Sequence, residues 1–252
     1  MKIVVIGGTG LIGSQVVRLL TERGEQAVAA APSTGVDTIT GAGLAEVLAG
    51  ADVVVDVSNS PSFDRDAAVG FFRTSTGNLL AAEQAAGIGH HVALSVVGTA
   101  ELAAESGYFA AKQLQERLIA ESGVPFTVVH ATQFYEFIAG IIDAATDGDA
   151  VRLAPVGFQP IASADVAAAV AEVAVAAPRN AVLEVAGPQR FRLDELARTT
   201  LAARRDSRTV RTDPAARYWG AELKTDTLTP GADATLFGTR LADWRLSAAQ
   251  PG

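Results

Sequence analysis

Lys2-Ile3-Val4-Val5-Ile6 runs directly into Gly7-Gly8-Thr9-Gly10-Leu11-Ile12-Gly13, and an amphipathic stretch follows from Leu11 to Arg23. An apolar strand, a glycine turn and a helix start, in that order, give a G-x-G-x-x-G string its meaning. Glycines allow a tight turn, let a pyrophosphate approach the backbone and let the helix pack closely on the strand. The helix N-terminus then offers free N–H groups and partial positive charge to the phosphates. Gly7 adds the overlapping spacing Gly7-x-x-Gly10-x-x-Gly13. Residues Gly7, Gly8, Thr9, Gly10, Leu11, Ile12 and Gly13 are therefore the expected cradle of a dinucleotide.

Working outward, short Val/Ile/Ala-rich runs alternate with helix-length amphipathic segments, the pattern of βαβ units on a parallel sheet. Strands are expected near 2–6, 26–30, 36–39, 52–57, 91–96, 125–130 and 182–186. Helices are expected near 11–23, 42–49, 64–86, 106–121, 133–146, 163–177 and 192–204. Gly24 and Gly87 stand where helices end, and Ser163 with Asp165 resembles a capped helix start. The reading is a single domain over 1–252. A dinucleotide-binding core covers 1–130, and 131–252 holds the remaining core elements and a smaller lobe. Segments 147–161 and 205–252, rich in Pro, Gly, Asp and Thr, would form that lobe over the carboxyl edge of the sheet, walling a substrate pocket. The end, Gln250-Pro251-Gly252, is expected to fray.

Composition narrows the partners. Apolar residues make up 49% and charged residues 19%, a balance that supports a packed core. A net charge of −8 without a basic block argues against nucleic acid. The absence of cysteine excludes disulfides, thiolate catalysis and zinc–sulfur sites. The three histidines (His90, His91, His130) lack metal-binding spacing, so no metal is expected. No apolar run reaches about 18 residues, so no membrane span is expected. Met1 leads straight into the first strand without a basic-then-apolar leader, and the expected location is the cytoplasm.

A second pattern is Tyr108-Phe109-Ala110-Ala111-Lys112. Positions four apart share a helix face, so phenol and ammonium can reach one cleft. A nearby cation would favour phenolate and lower the tyrosine pKa, making it a usable general acid or base in hydride transfer. Ser95 ends the apolar run His91-Val92-Ala93-Leu94, thirteen residues before Tyr108, where a hydroxyl can bind a substrate oxygen.

With the glycine motif, Ser95-Val96-Val97-Gly98 and Tyr108 to Lys112 in this order, the chain resembles the short-chain dehydrogenase/reductase superfamily. Val124-Pro125-Phe126-Thr127-Val128-Val129 followed by Gln133-Phe134-Tyr135-Glu136 is similar to its atypical, NmrA-like branch. The resemblance covers most of residues 1–187 and is faint beyond. It implies a Rossmann-type doubly wound parallel sheet with a small C-terminal substrate-capping lobe. It further implies Ser95 as substrate-oxygen binder, Tyr108 as proton donor or acceptor, and Lys112 as its pKa-lowering partner that also holds the nicotinamide ribose. Asp37 matches the position that contacts adenine, and Ser58-Asn59-Ser60 the loop flanking the cofactor.

Two departures stand out. Gly70-Phe71-Phe72 occupies the stretch where the family often has a proton-relay Asn, and Asn78 lies too far along to replace it. His130 stands where relatives frequently carry Arg, either as a hydrogen-bonded structural residue or as part of the substrate pocket. Phe134 is the best aromatic candidate for that pocket; Tyr135 and Phe137 fit helix packing better. Arg217-Tyr218-Trp219-Gly220 and Trp244 are expected to anchor the lobe.

At the end of the second strand, Ala29-Ala30-Ala31-Pro32-Ser33-Thr34-Gly35 carries no acid to bind a ribose 2′-OH and no Arg for a 2′-phosphate. Ser33 and Thr34 can donate hydroxyl hydrogen bonds to that phosphate. The expectation is NADP(H), with NAD as the other candidate. The leading functional reading is an oxidoreductase interconverting a small carbonyl, or imine, with its alcohol or amine. A nicotinamide-sensing regulatory protein and a cofactor-retaining isomerase or dehydratase are the alternatives.

Overall fold

A computed structural model describes residues 1–248, so the expected frayed tail lies outside the described residues. The chain opens β1 (Lys2–Ile6), α1 (Leu11–Glu22), β2 (Gln26–Ala30), α2 (Leu44–Leu48), β3 (Val53–Asp56), α3 (Arg65–Ala86) and β4 (His90–Val96). It continues α4 (Thr99–Leu102), α5 (Gly107–Glu121), β5 (Phe126–Ala131), α6 (Ile138–Ala144), β6 (Thr146–Asp147), β7 (Ala150–Leu153) and β8 (Gly157–Phe158). The remainder is α7 (Ser163–Ala174), β9 (Ala181–Ala186), β10 (Phe191–Arg192), α8 (Leu193–Arg204), β11 (Thr209–Thr212), β12 (Thr235–Leu236) and α9 (Leu241–Ala248).

Seven strands form one sheet in the order β12-β9-β5-β4-β3-β1-β2, with every pair parallel. Apolar runs such as Val53-Val54-Val55 suit it because helices cover both faces. Ile3, Val5, Val55, Val92 and Val129 pack with residues of α1 and α7 on one side, and Val4, Ile6 and Val54 with α2 and α3 on the other. Strand order reverses beside β1, between β2 and β3, the place where open α/β sheets bind ligands at their carboxyl ends.

One expected strand is absent and another takes its number. Residues 36–39 form a turn in which the Asp37 carboxylate accepts the backbone N–H groups of Ile39 (2.8 Å) and Thr40 (3.4 Å). Gly35, Gly41 and Gly43 all have positive φ, so local turn chemistry outweighs the β-propensity of Val36 and Ile39. The seventh strand is instead the short β12, from the segment expected to be irregular.

The expected helix over 133–146 is also broken. Gln133 O accepts from Ile161 N and Tyr135 N donates to Ile161 O (both 2.9 Å), so this backbone is spent on pairing with a later segment of the chain before a short 3-10 turn and α6. Ser163 begins α7 without capping it; its hydroxyl donates to Glu136 Oε1 (2.6 Å).

The C-terminal lobe carries the sheets β11-β7-β6 and β10-β8. Its apolar cluster, including Tyr135, Phe158, Leu193, Tyr218 and Leu228, is continuous with Leu102 at the end of α4 and Phe109 at the start of α5. The lobe therefore packs beside the carboxyl end of β4.

Candidate active site

The turn after β1 is built by backbone constraint. Gly7 N and Gly8 N donate to Ala30 O (2.9 and 3.3 Å), and Gly10 N donates to Gly7 O (2.9 Å). A Cβ on Gly13 would meet Gly7 O at 2.1 Å, and one on Gly8 would meet Val5 O at 2.7 Å. Gly10 differs, because its Cβ would meet only Gly7 O, at 3.3 Å. It faces solvent at the N-terminus of α1, a turn with no side-chain cap and no acidic residue. Free N–H groups beside an open glycine suit a pyrophosphate.

The turn abuts the loop leaving β3. A Cβ on Gly7 would lie 3.0 Å from Ser58 N, so the two carboxyl-end segments meet across the strand-order reversal. Ser58 Oγ is buried without a partner. Further along that edge Gln133, 7% exposed, has both amide atoms unpartnered, as does the Thr132 hydroxyl. Buried polar groups are ordinarily satisfied, so unpaired ones along a crevice fit a polar ligand such as a nicotinamide dinucleotide.

Of the other expected cofactor residues, Ser33 is exposed, while Thr34 Oγ1 is committed to Ala31, accepting from its N–H and donating to its O (2.9 Å each). The Asp37 carboxylate is occupied by its own turn. Asn78 Nδ2 holds that turn through Thr38 O and Ile39 O (2.9 and 3.0 Å). Ser60 is buried, its N–H bonded to Asn59 Oδ1 (3.0 Å).

On α5 the expected constellation separates. Tyr108 is half-buried and its hydroxyl donates to Asn59 Oδ1 at 3.2 Å, in the loop beyond β3. Burial pushes the phenol up to about 12, with the Asn59 hydrogen bond pulling it partly back. This is opposite in direction to the lowering expected from a neighbouring ammonium.

Lys112, one turn on, is 2% exposed. Its ammonium donates to Leu94 O (2.9 Å) and to Gln115 Oε1, and lies 4.6 Å from the centre of the Phe72 ring. Leu94 is one residue past the last β3–β4 pair, Asp56↔Ala93, so the ammonium serves a carbonyl at the point where the strands part. Gln115 Nε2 continues to Asp56 Oδ2 (2.9 Å), and Asp56 Oδ1 accepts Ser58 N (2.9 Å). Burial pushes Lys112 down to about 8 against the opposing pull of Asp56 and Glu116.

Ser95, 3% exposed, donates its hydroxyl to Glu116, whose Oε1 also bonds His130 Nε2 at 2.9 Å. Ser95 and His130 are register partners on β4 and β5. Glu116 lies two helical turns beyond Tyr108, about 12 Å along the axis. Burial opposes the Glu116 charge, but the bonds to His130 and Ser95 and the Lys112 charge outweigh it and hold its carboxyl below the ordinary value. Ser95 and His130 thus meet each other through Glu116 rather than meeting the phenol. Phe134 stacks on Phe137 with centroids 5.3 Å apart and makes a bridge to Ile161.

Sequence reasoning missed Asp56, Gln115 and Glu116. An acid ending an apolar strand, and polar residues three and four positions after Lys112, were the available signals.

The model of a family described as NAD(P)H-binding matches residues 7–177, which include the glycine turn, the loop after β3 and all of α5. The chain belongs to this NAD(P)H-binding family. A curated relative, (4-alkanoyl-5-oxo-2,5-dihydrofuran-3-yl)methyl phosphate reductase from Streptomyces griseus subsp. griseus, is 32% identical over 189 residues. That match takes in 69% of this chain and 62% of the relative, so the chain spans about three fifths of that protein's length.

Among solved structures, an NADPH-dependent quinone oxidoreductase from Escherichia coli, complexed with NADPH, superposes with a TM-score of 0.67 at 22% identity. The match covers 84% of this chain and 78% of that one. A UDP-glucose 4-epimerase from Thermus thermophilus, in complex with NAD, gives 0.67 at 16% identity over 89% and 91%. These likenesses show the NAD(P)H-binding chain's fold. None of its described helices is long and apolar enough to cross a membrane.

Proposed function

We propose that this chain is an NADPH-dependent reductase of a small-molecule carbonyl compound, of the NmrA-like kind, with Tyr108 as the proton donor. The observation that carries the reading is the 3.2 Å bond from Tyr108 to Asn59, next to Ser58, whose backbone abuts the glycine turn. A phenol is thereby held at the crevice where a dinucleotide fits. When bound there, a reduced nicotinamide supplies hydride. With its pKa pushed to about 12, Tyr108 stays protonated at neutral pH and suits the reducing direction. It gives its proton to the carbonyl oxygen as negative charge develops there. The Asn59 amide, with both donor and acceptor atoms, can hold Tyr108 in either protonation state.

Lys112 and Ser95 act as positioning residues beneath the phenol. Lys112 ties Leu94 O, through Gln115 and Asp56, to the backbone of Ser58. Ser95 fixes Glu116 and, through it, His130. The lack of an acid from Ala29 to Gly35, at the end of β2, and the exposed Ser33 support NADPH over NADH. A cytoplasmic location is part of the same reading.

The test is Tyr108→Phe, followed by nicotinamide absorbance with a panel of carbonyl compounds. A loss of about 10²–10⁴-fold in kcat is expected for removing a general acid; unchanged turnover would refute the assignment. Calorimetric titration should show tighter binding of NADPH than of NADH.

A further inference from the structure

Tyr218 and Ala221 exchange backbone hydrogen bonds (2.8 and 3.0 Å) around Trp219-Gly220, a two-residue hairpin turn in which both central residues have positive φ (+48° and +88°). Such turns favour Asn-Gly or Asp-Gly. A tryptophan held in the left-handed region is strained, because its Cβ crowds the following carbonyl oxygen. Core packing does not explain a tryptophan there: Tyr218 fills the lobe core at 7% exposure, whereas Trp219 is 38% exposed. Its ring stacks on Phe63, itself 50% exposed, with centroids 4.9 Å apart and planes 16° from parallel. Phe63 in turn lies 5.0 Å from the Tyr108 ring.

The hairpin is tethered. Arg217 bonds Glu105 Oε2 (2.7 Å), Gly220 O (2.8 Å) and Glu222 Oε1 (2.9 Å), while Glu222 N donates to the same Glu105 oxygen (3.4 Å). Glu105 lies three residues before Tyr108. The lobe thus brings a strained, outward-facing indole to the loop after β3, beside the phenol.

We propose that Phe63 and Trp219 are the wall of a substrate subsite for the flat ring of an aryl or otherwise conjugated carbonyl compound, whose C=O they set against Tyr108. The proposal rests on the reductase reading above and narrows its substrate. One face of each ring is covered by the other, Phe63 also leans on Tyr108 and Trp219 meets Tyr218 edge-on, yet Phe63 stays 50% and Trp219 38% exposed, so a planar ligand gains stacking area that a puckered saturated ring cannot match.

The test compares benzaldehyde with cyclohexanecarbaldehyde, an aromatic and a saturated ring on the same carbonyl. Trp219→Asn removes the indole yet installs the preferred Asn-Gly turn, so its unfolding midpoint should equal or exceed the parent's. The kcat/KM ratio, benzaldehyde over cyclohexanecarbaldehyde, should fall about three- to tenfold in this variant and return in Trp219→Phe. An unchanged ratio overturns the subsite.

A second readout does not need turnover. In Trp244→Phe protein with NADP⁺ present, Trp219 is the remaining tryptophan. Saturable quenching of its emission by 2-naphthaldehyde, and none by cyclohexanecarbaldehyde, is expected. Quenching without turnover of either aldehyde would keep the subsite and sink the reductase reading. Turnover without quenching would do the reverse, and failure of both would remove both.

Discussion

The glycine turn and the α5 constellation both begin as short motifs, yet they differ in what determines them. In the turn, each glycine answers to backbone atoms a few residues away or on an adjoining strand: Gly13 to Gly7 O, Gly8 to Val5 O. On α5, Tyr108 and Lys112 share a helix face but reach different surroundings. One meets Asn59 in the crevice; the other is sealed among Leu94, Gln115 and Phe72. Helical spacing sets the face a side chain leaves from, while packing partners set where it arrives.

The largest effect should come from breaking the turn. Gly13→Ala places a methyl 2.1 Å from Gly7 O, and both atoms belong to packed backbone. Overpacking of this kind should destabilise the protein by about 3 kcal/mol, read from its denaturant midpoint. A midpoint within experimental error of the parent would show that the turn relaxes freely.

What was legible follows the same division. Six of the seven expected strands lie in the main sheet, because continuous apolar runs between helix-length segments leave few alternatives. Residues 36–39 read as a strand by composition, but Asp37 and three positive-φ glycines bend them. β12 was invisible, since two residues give no periodicity and its pairing partner β9 is far away in sequence. At the site, Tyr108 and the loop containing Asn59 were each marked, but not the bond between them. Lys112 was marked without Gln115 and Asp56, and Ser95 without Glu116. Those links depend on how α5 lies across β3, β4 and β5, which no local window contains.

Lys112 sharpens the α5 side through pH. Its folded pKa, about 8, is below the ordinary 10.5, so the unfolded chain binds more protons between those values. Stability therefore rises with pH across that window, by at most about 1.4 kcal/mol per pH unit, and the burden of a buried cation is fully present below pH 8. The phenols of Tyr108 and Tyr135, raised to about 12, act in the opposite sense. Their contribution is present below pH 10 and lost above it. The Met1 amine, raised above its ordinary 8 chiefly by its bond to Glu25, likewise loses stability as pH rises past 8, so the Lys112 share is read as the difference between parent and variant. Lys112→Met should flatten the rise in urea midpoints measured across that window. A rise that persists would assign it to another group.

Ser95→Ala removes one hydrogen bond to a carboxylate and should cost about 1 kcal/mol. Because that hydroxyl is bound to Glu116 two turns from the phenol, its loss should lower kcat/KM less than about tenfold. A loss as large as that of Tyr108→Phe would mean that Ser95 leaves Glu116 to touch substrate.

Gly10→Ala should have the smallest effect on folding, and it separates the two kinds of glycine in one turn. Gly10 has φ −82°, open to any residue, and an added Cβ would meet only Gly7 O, at 3.3 Å. Stability should change by no more than about 0.5 kcal/mol. The same methyl would project over the uncapped N-terminus of α1, where pyrophosphate oxygens must come close to the N–H groups. NADPH affinity measured by calorimetry should therefore fall about tenfold or more, the loss of roughly one charge-assisted hydrogen bond. Gly13 would then be a glycine kept for the fold and Gly10 one kept for the ligand. Unchanged affinity in Gly10→Ala would place the phosphates elsewhere and leave both glycines with a structural role alone.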